Sequence, residues 1–348
     1  LYARPEVLAV ANRKAGSPLR PDELAALVRP RSAPWTVSDV PILDECEELL
    51  GPMPTASTTS RGTDDGAVAR AREAIEAQNL GGGIVTAQML ADQVTGQDSW
   101  TPLSERAAKD RTWAYGHIVV DEAQELSPMA WRALLRRCPS RSFTVVGDLD
   151  QRRGNKRPPT WEKALGPAAR ALTAEYALTV SYRTPATLTT LAEGVVARAG
   201  VPVLYPMTAV RDVEDCYRVT HVDAPEEAPA SSRENSPLWC AVAQAQREAE
   251  ERLDREAGTS RGRIAIIVGN ERARAWGADV AGETALSERV SLLSAVASKG
   301  LEFDTVVLVE PAEVMNDGVG DLFVALTRAT HDVHVVHSAP LPAGMEEW

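Results

Sequence analysis

The chain has 348 residues, 44% hydrophobic and 25% charged, which is enough for two cores of ordinary domain size. Its 37 Lys and Arg stand against 49 Asp and Glu, a formal net charge of −12 with an isoelectric point near 5.1; this argues against an extended nucleic-acid tracker, although net charge says nothing about local grooves. Cys46, Cys138, Cys216 and Cys240 are widely spaced without a C-x-x-C pair, so neither a zinc site nor a disulfide framework is expected. No run of about 18 apolar residues and no signal-peptide pattern occurs, which favours a cytoplasmic protein without a membrane span.

In chain order, Leu1 to about Ser32 mixes helical stretches with prolines. Ser38-Asp39 with Pro41 starts a helix carrying Ile42, Leu43, Cys46, Leu49 and Leu50. Gly51 to Gly66 reads as an exposed loop, and Ala67 to Gln78 and Ile84 to Val94 read as helices around a turn at Gly81-Gly82-Gly83. That triple glycine lacks the Lys-Ser/Thr ending of a phosphate loop. His117 to Val120 is a short apolar run suited to a buried parallel strand. Ser127-Pro128 opens a helix with Met129, Leu134 and Leu135 on its buried side, and Cys138 is a small residue beside that helix's end. A second strand follows at Ser142 to Val146. The basic cluster Arg152-Arg153 with Lys156-Arg157 reads as a solvated loop. Pro185 to Ala199 suits a helix, Val222 to Pro237 a loop and Ala241 to Glu256 a surface helix. Arg263 to Val268, Val290 to Leu293, Thr305 to Val309 and Val333 to Val336 are β-rich runs that should share a sheet. His331, His334 and His337 fall in the last run, where His334 points opposite to the other two, which disfavours a metal triad.

The chemistry concentrates between His117 and Gln151. The first strand delivers Asp121 and Glu122 at its carboxyl end, where open α/β sheets bind ligands. One carboxylate there can hold Mg²⁺, usually through water, while its neighbour orients and deprotonates a water attacking a γ-phosphate. The second strand ends in Gly147-Asp148 and reaches Gln151, whose amide can bond a γ-phosphate or that water. A DE pair after a strand would, alone, more simply cap the next helix; the second strand and Gln151 weigh against that reading. Nowhere in the 348 residues is there a G-x-x-x-x-G-K-[ST] phosphate loop, and the first residue is Leu1 rather than Met, so the chain reads as part of an ATPase.

The motifs resemble, in order, those of superfamily 1 helicase-like ATPases of the UvrD/Rep/PcrA type. Asp121-Glu122-Ala123-Gln124 resembles motif II, Gly147-Asp148-Leu149-Asp150-Gln151 motif III, and Ser181-Tyr182-Arg183-Thr184-Pro185 motif IV. Ala297-Ser298-Lys299-Gly300-Leu301-Glu302-Phe303-Asp304 resembles motif V, and Leu322-Phe323-Val324-Ala325-Leu326-Thr327-Arg328-Ala329 motif VI. Five ordered motifs over roughly 210 residues are hard to obtain by chance. The resemblance implies Glu122, Gln151, Arg183 and Arg328 as catalytic residues, Arg183 sensing phosphate and Arg328 acting as arginine finger. It implies Asp121, Gly300 and Glu302 as ATP-binding residues, Asp121 also holding Mg²⁺ and Glu302 facing the nucleotide sugar.

The stretches SAPWTVSDVPILDECEELLG, DEAQELSPMAWRALLRRCPSRSFTVVGD and VALTRATHDVHVVH are similar to the HelD/HelR branch. Those bacterial ATPases bind RNA polymerase, release it from stalled nucleic-acid complexes and, in actinobacteria, are linked to rifampicin tolerance. The expected fold is therefore α/β with two RecA-like parallel-sheet domains of the P-loop NTPase fold, the first incomplete at its amino end. Residues 1–35 would be the tail of an inserted arm, 36–175 the carboxyl-terminal part of the first lobe and 176–348 the second lobe. A phosphate-loop segment is expected upstream of residue 1, RNA polymerase core is the expected partner, and nucleic acid is a second one. Two other readings stay open: a DNA-unwinding helicase or helicase-nuclease of the same superfamily, and a catalytically dead fragment that only docks on a partner.

Overall fold

The computed structural model describes residues 2–16, 19–51, 113–154, 157–223, 236–278 and 288–346, with the single residues 102, 104, 105, 107, 110, 231 and 233. The helices expected at 67–78 and 84–94, the triple glycine at 81–83, nearly all of the loop at 51–66, most of that at 222–237, and Lys156 lie outside the described residues. Two compact units result, residues 1–114 with 132–137, and residues 115–131 with 138–348. The lobe boundary expected near Tyr176 is a different division and falls within the second unit.

The first unit contains α1 (Pro5–Lys14), α2 (Pro21–Ala26) and α3 (Val40–Leu50). The 3₁₀ turn Val37–Asp39 leads into α3, and Asp39 is buried there, taking two hydrogen bonds from Arg29 at 2.9 and 2.5 Å and one each from the backbone and hydroxyl of Thr36. The Arg29 guanidinium and the Thr36 amide hold its carboxyl well below the usual range. The helix expected from Ser38-Asp39-Pro41 is present, but its apolar residues are not a buried face among the described residues: Leu49 is 76% and Leu50 81% exposed. Arg136 pairs with Asp44 and Glu45, and Arg132 with Glu45, so charge rather than apolar contact fastens this helix.

The second unit begins with two short parallel strands, β1 (Ile118–Val120) and β2 (Phe143–Val145); α4 (Pro128–Arg137) lies between them in the chain, its residues 132–137 counted with the first unit. His117 pins the pair, its ring nitrogens lying 2.8 Å from Ser142 Oγ and 3.1 Å from Thr144 Oγ1. The expectation of a buried first strand is corrected, since Val119 is 68% exposed: among the described residues this sheet has two strands, and that face of it is uncovered. At the start of α4 the Ser127 hydroxyl accepts the Ala130 N–H at 3.1 Å, as an N-cap does. The buried side of α4 differs from the expected one. Trp131 is fully buried, edge-on to Phe143 with ring centroids 6.4 Å apart, while Met129, Leu134 and Leu135 are half-buried. Cys138 is buried, its Sγ 3.4 Å from the Ser142 carbonyl oxygen, as suits a small residue closing the helix end.

After α5 (Trp161–Leu165) come β3 (Val180–Ser181), α6 (Ala186–Arg198) and β4 (Thr208–Ala209), with β3 and β4 parallel. The main sheet comprises β5 (Tyr217–His221), β6 (Ile264–Val268), β7 (Val290–Ser294), β8 (Phe303–Val309) and β9 (Ala329–His337). All pairs are parallel, in the order β5-β9-β8-β6-β7. Between these strands run α7 (Pro237–Glu256), α8 (Asn270–Trp276), α9 (Pro311–Asp317) and α10 (Val319–Thr327). A parallel sheet covered on both faces calls for continuous apolar strands, and β6 is buried at all five positions. Its alternate residues divide between two cores. Ala265 and Ile267 face Leu188, Leu191, Val314 and Phe323, whereas Ile264, Ile266 and Val268 face Leu238, Val242, Ala273 and Trp276. Each fully buried Ile or Leu contributes about 2 kcal/mol. The protein is thus α/β with parallel sheets.

The strand histidines have separate partners. His334 Nε2 lies 2.8 Å from Thr220 Oγ1, His337 Nδ1 2.8 Å from the Ala339 carbonyl, and His331 Nδ1 3.2 Å from Arg252 Nη1. No helix among the described residues is long and apolar enough to cross a membrane.

Candidate nucleotide site

At the end of β1, Asp121 Oδ1 accepts the Glu122 N–H at 2.8 Å, and Glu122 takes a left-handed φ of +49°, a conformation few residues with a Cβ adopt. Such strain is found where surrounding contacts impose it, often at functional sites. Here the contact is Gln124, fully buried, whose Nε2 donates to Glu122 Oε2 at 2.6 Å while its Oε1 accepts the Asp148 N–H at 3.1 Å. One amide therefore fixes the carboxylate after β1 to the loop after β2. Gly147 is required beside it, because a Cβ there would overlap Gln124 Oε1 and lie 2.9 Å from the Trp161 ring.

Asp148 caps the 3₁₀ turn Leu149–Gln151. Its Oδ1 accepts the Asp150 N–H and its Oδ2 the Gln151 side-chain amide, both at 2.9 Å. Burial raises the Asp148 pKa, opposed by the Gln151 hydrogen bond and by Arg328, Arg157 and Lys299. With its nitrogen engaged, Gln151 turns its oxygen to Arg328 Nη2 at 3.3 Å. Arg328 follows α10 and is 2% exposed. Burial, and after it Arg183, lower its pKa to about 10 against the opposing pull of Glu122, Glu302 and Asp148. Arg183 Nη1 donates to Glu302 Oε1 at 2.8 Å. The Nε atoms of Arg183 and Arg328 are both buried without a hydrogen-bond partner among the described residues. Gly300 has φ +71°, and a Cβ on it would come to 4.0 Å from Glu122 Oε1, so the Lys299–Glu302 turn passes beside that carboxylate.

Six of the seven residues singled out from the sequence thus gather from five separate segments: Glu122, Gln151, Arg183, Gly300, Glu302 and Arg328. Asp121 is exposed at the edge of the group, next to Glu122. Sequence reasoning gave no role to Gln124 or Lys299. Lys299, with a side chain 10% exposed, donates to Glu125 Oε1 at 2.8 Å and to the Gln151 carbonyl at 2.5 Å, and lies 3.6 Å from Asp321. A lysine beside a positive-φ glycine was the available signal, but its three partners are distant in sequence.

The reading of the basic cluster as a solvated loop is corrected for Arg152 and Arg157, while the Arg153 side chain is exposed, in keeping with it. Arg152 donates to the Gln124 carbonyl, the Arg153 N–H to Glu125 Oε1 at 3.1 Å, and Arg157 pairs with Asp150 and donates to the Pro202 carbonyl at 2.9 Å. The guanidiniums of Arg152 and Arg157 and the Arg153 N–H thus fasten the loop that carries Gln151. The start of α10 packs on the same loop: a Cβ on Gly320 would overlap the Arg152 carbonyl oxygen, and one on Gly318 would lie 2.9 Å from the Gly154 nitrogen.

No protein-family model matches the chain, and no curated protein matches it. Similar solved structures are an arterivirus nonstructural protein 10 helicase (16% identity, TM-score 0.35, covering 67% of this chain and 41% of that one) and an arterivirus nonstructural protein 10 helicase in complex with DNA (17%, 0.35, 64% and 40%). Another is the C-terminal domain of a candidate DNA helicase from Lactobacillus plantarum WCFS1 (20%, 0.30, 47% and 92%). The chain spans about two fifths of the length of the arterivirus helicases it resembles. TM-scores of this size leave the chemistry to be argued from the site's own geometry.

Proposed function

We propose that this chain carries most of the ATP-hydrolysing cleft of a superfamily 1 helicase-like motor with RecA-like lobes. The observation that carries the reading is the convergence of Glu122, Gln151, Arg183 and Arg328. A carboxylate, an amide and two guanidiniums whose buried Nε atoms have no hydrogen-bond partner among the described residues fit an anionic phosphate ester and an attacking water. In this reading Glu122 takes the water's proton, Gln151 orients the water, and Arg183 and Arg328 stabilise the charge that develops on the transferred phosphoryl group. Mg²⁺, held by Asp121 through water, would neutralise the phosphate oxygens. The lysine and backbone amides that grip β- and γ-phosphates would come from a phosphate-loop segment upstream of residue 1.

For the partner we propose RNA polymerase core, with release of the polymerase from stalled or inhibited nucleic-acid complexes as the output. Support comes from the HelD/HelR-like stretches and the net charge of −12, which suits a protein that competes with nucleic acid for basic channels. The test uses the protein with its upstream segment. It should bind polymerase core in defined stoichiometry, separate DNA duplexes poorly, and lose Mg²⁺-dependent ATP turnover on Glu122→Gln. A DNA helicase would instead unwind efficiently, form no polymerase complex, and bind single strands with a log affinity falling by roughly 0.7 per contacted phosphate against log salt.

A further inference from the structure

Arg183 lies in the turn between β3 and α6, where regular pairing gives little support: β3 is two residues long and Pro185 has no N–H to donate. The segment 208–212 holds this turn. The Thr208 and Val210 N–H groups donate to the Thr179 and Ser181 carbonyls at 2.7 and 2.9 Å, and the Ala186 N–H donates to the Arg211 carbonyl at 2.9 Å. Asp212 Oδ1 accepts the Thr187 N–H at 3.1 Å. Between these points the carbonyls of Tyr182 and Arg183 are taken by the Arg211 side chain, whose Nε donates to the first at 3.2 Å and whose Nη2 donates to the second at 2.6 Å. Nη2 also donates to the carbonyl of Thr330, 119 residues further on.

Thr330 is a firm anchor. It lies two residues beyond Arg328 in β9, where Ala329 pairs with Phe303 and the Arg328 carbonyl accepts the Phe303 N–H at 3.1 Å. On the other side of Arg328, the hydroxyl of buried Thr184 donates to the Thr327 carbonyl at 3.4 Å. Arg211 is itself exposed, and among the described residues its side chain has only main-chain carbonyls as hydrogen-bond partners. A planar guanidinium can bridge three such oxygens at once, whereas the ammonium of a lysine carries the same charge without that fork.

We propose, on the nucleotide-cleft reading, that Arg211 is a positioning residue: its guanidinium ties the Arg183 turn to the strand behind Arg328, so that both arginines meet one anion from a single frame. Arg211 acts through Arg183 and touches no phosphate. Arg328 keeps its place without it, because α10 and the pairing of β9 with β8 hold its backbone on either side. Arg183, on a turn beyond a two-residue strand, loses its alignment when the fork is lost.

The experiment titrates metal-free tripolyphosphate into the 348-residue chain at low salt by calorimetry and records Tm for each form. The variants are Arg211→Lys, Arg183→Ala, their double variant, Arg328→Ala and Thr187→Val, the last cutting the 3.0 Å hydroxyl link to Asp212 on the α6 side of the same segment. Should Arg211→Lys fold poorly, Arg211→Gln takes its place in the same cycle. A charge-assisted contact supports up to about tenfold in affinity, so misplacing Arg183 should weaken binding by about three- to fivefold. Arg211→Lys, with its charge retained, should show that loss, and no further loss once Arg183 is alanine. Thr187→Val should lower Tm and leave binding unchanged. Parent-like binding by Arg211→Lys, an equal loss in the Arg183→Ala background or an equal loss in Thr187→Val overturns the positioning role. The cleft reading survives those results as long as Arg183→Ala and Arg328→Ala are impaired. Binding that neither arginine influences, or no binding by any form, removes the cleft reading and the proposal together.

Discussion

Gly320→Ala tests whether the start of α10 lies backbone to backbone on the loop that carries Gln151. The added Cβ would overlap the Arg152 carbonyl oxygen and lie 2.9 Å from that of Asp150. Both neighbours are main chain, so neither can swing aside as a side-chain tip would; the helix or the loop must shift. Overpacking of this kind costs about 1–3 kcal/mol, against a gain in helix propensity of at most about 1 kcal/mol. The net expectation is a loss of about 1–2 kcal/mol, read as a lower urea midpoint with unchanged slope. Gly194→Ala is the matched control. It lies inside α6, and the nearest atom to its Cβ is the guanidinium tip of Arg198 at 3.6 Å, so the same substitution should stabilise by up to about 1 kcal/mol. Opposite signs for the two are expected. A Gly320→Ala protein as stable as the parent would refute the close approach, and with it the account of how α10 sets the 3.3 Å Gln151 to Arg328 contact.

Lys299→Met should destabilise by about 3 kcal/mol, because it orphans the buried Asp321 and leaves the Gln151 carbonyl without its ammonium partner. Burial already raises the Asp321 pKa, so protonation favours the folded state: the loss should shrink as pH falls through that raised value, and a loss that deepened on acidification would contradict the assignment. Arg328→Met, in the protein with its upstream segment, should lower kcat by about 10³-fold or more without lowering Tm. Burial holds the folded pKa, about 10, below the unfolded value, so the charged guanidinium burdens the fold at neutral pH, and stability rises as pH climbs above 10. A destabilised Arg328→Met protein with near-normal kcat would reverse the reading. The 348-residue chain alone should hydrolyse ATP negligibly, lacking a phosphate loop; robust Mg²⁺-dependent turnover, abolished by Glu122→Gln, would sink that expectation.

Local pattern carried the parts of the fold that depend on neighbours along the chain. The β-rich runs at 263–268 and 305–309 announce strands buried on both faces, and Ser127-Pro128 opens a helix through a hydroxyl and a preset φ, whereas the helix expected from Ala241 begins at Pro237, capped by Ser236. Tyr217–His221 was missed, since an edge strand with Arg218, Thr220 and His221 need not be apolar. The buried side of α4 was misjudged because leucines were weighed above Trp131, whose burial depends on Phe143 two elements away.

The sequence alone determined which groups of the candidate site exist and in what order: Asp121 and Glu122 behind one strand, Gln151 behind the next, then Arg183, Glu302 and Arg328. Only the tertiary structure decided their pairing, as Glu302 on Arg183, Gln151 on Arg328, and Lys299 across Glu125, Gln151 and Asp321. Spacing constrains a strand end to about one residue because the chain is covalent. Partners 119 or 177 residues apart are joined only by how the elements pack, and no local pattern encodes which oxygen a guanidinium will reach.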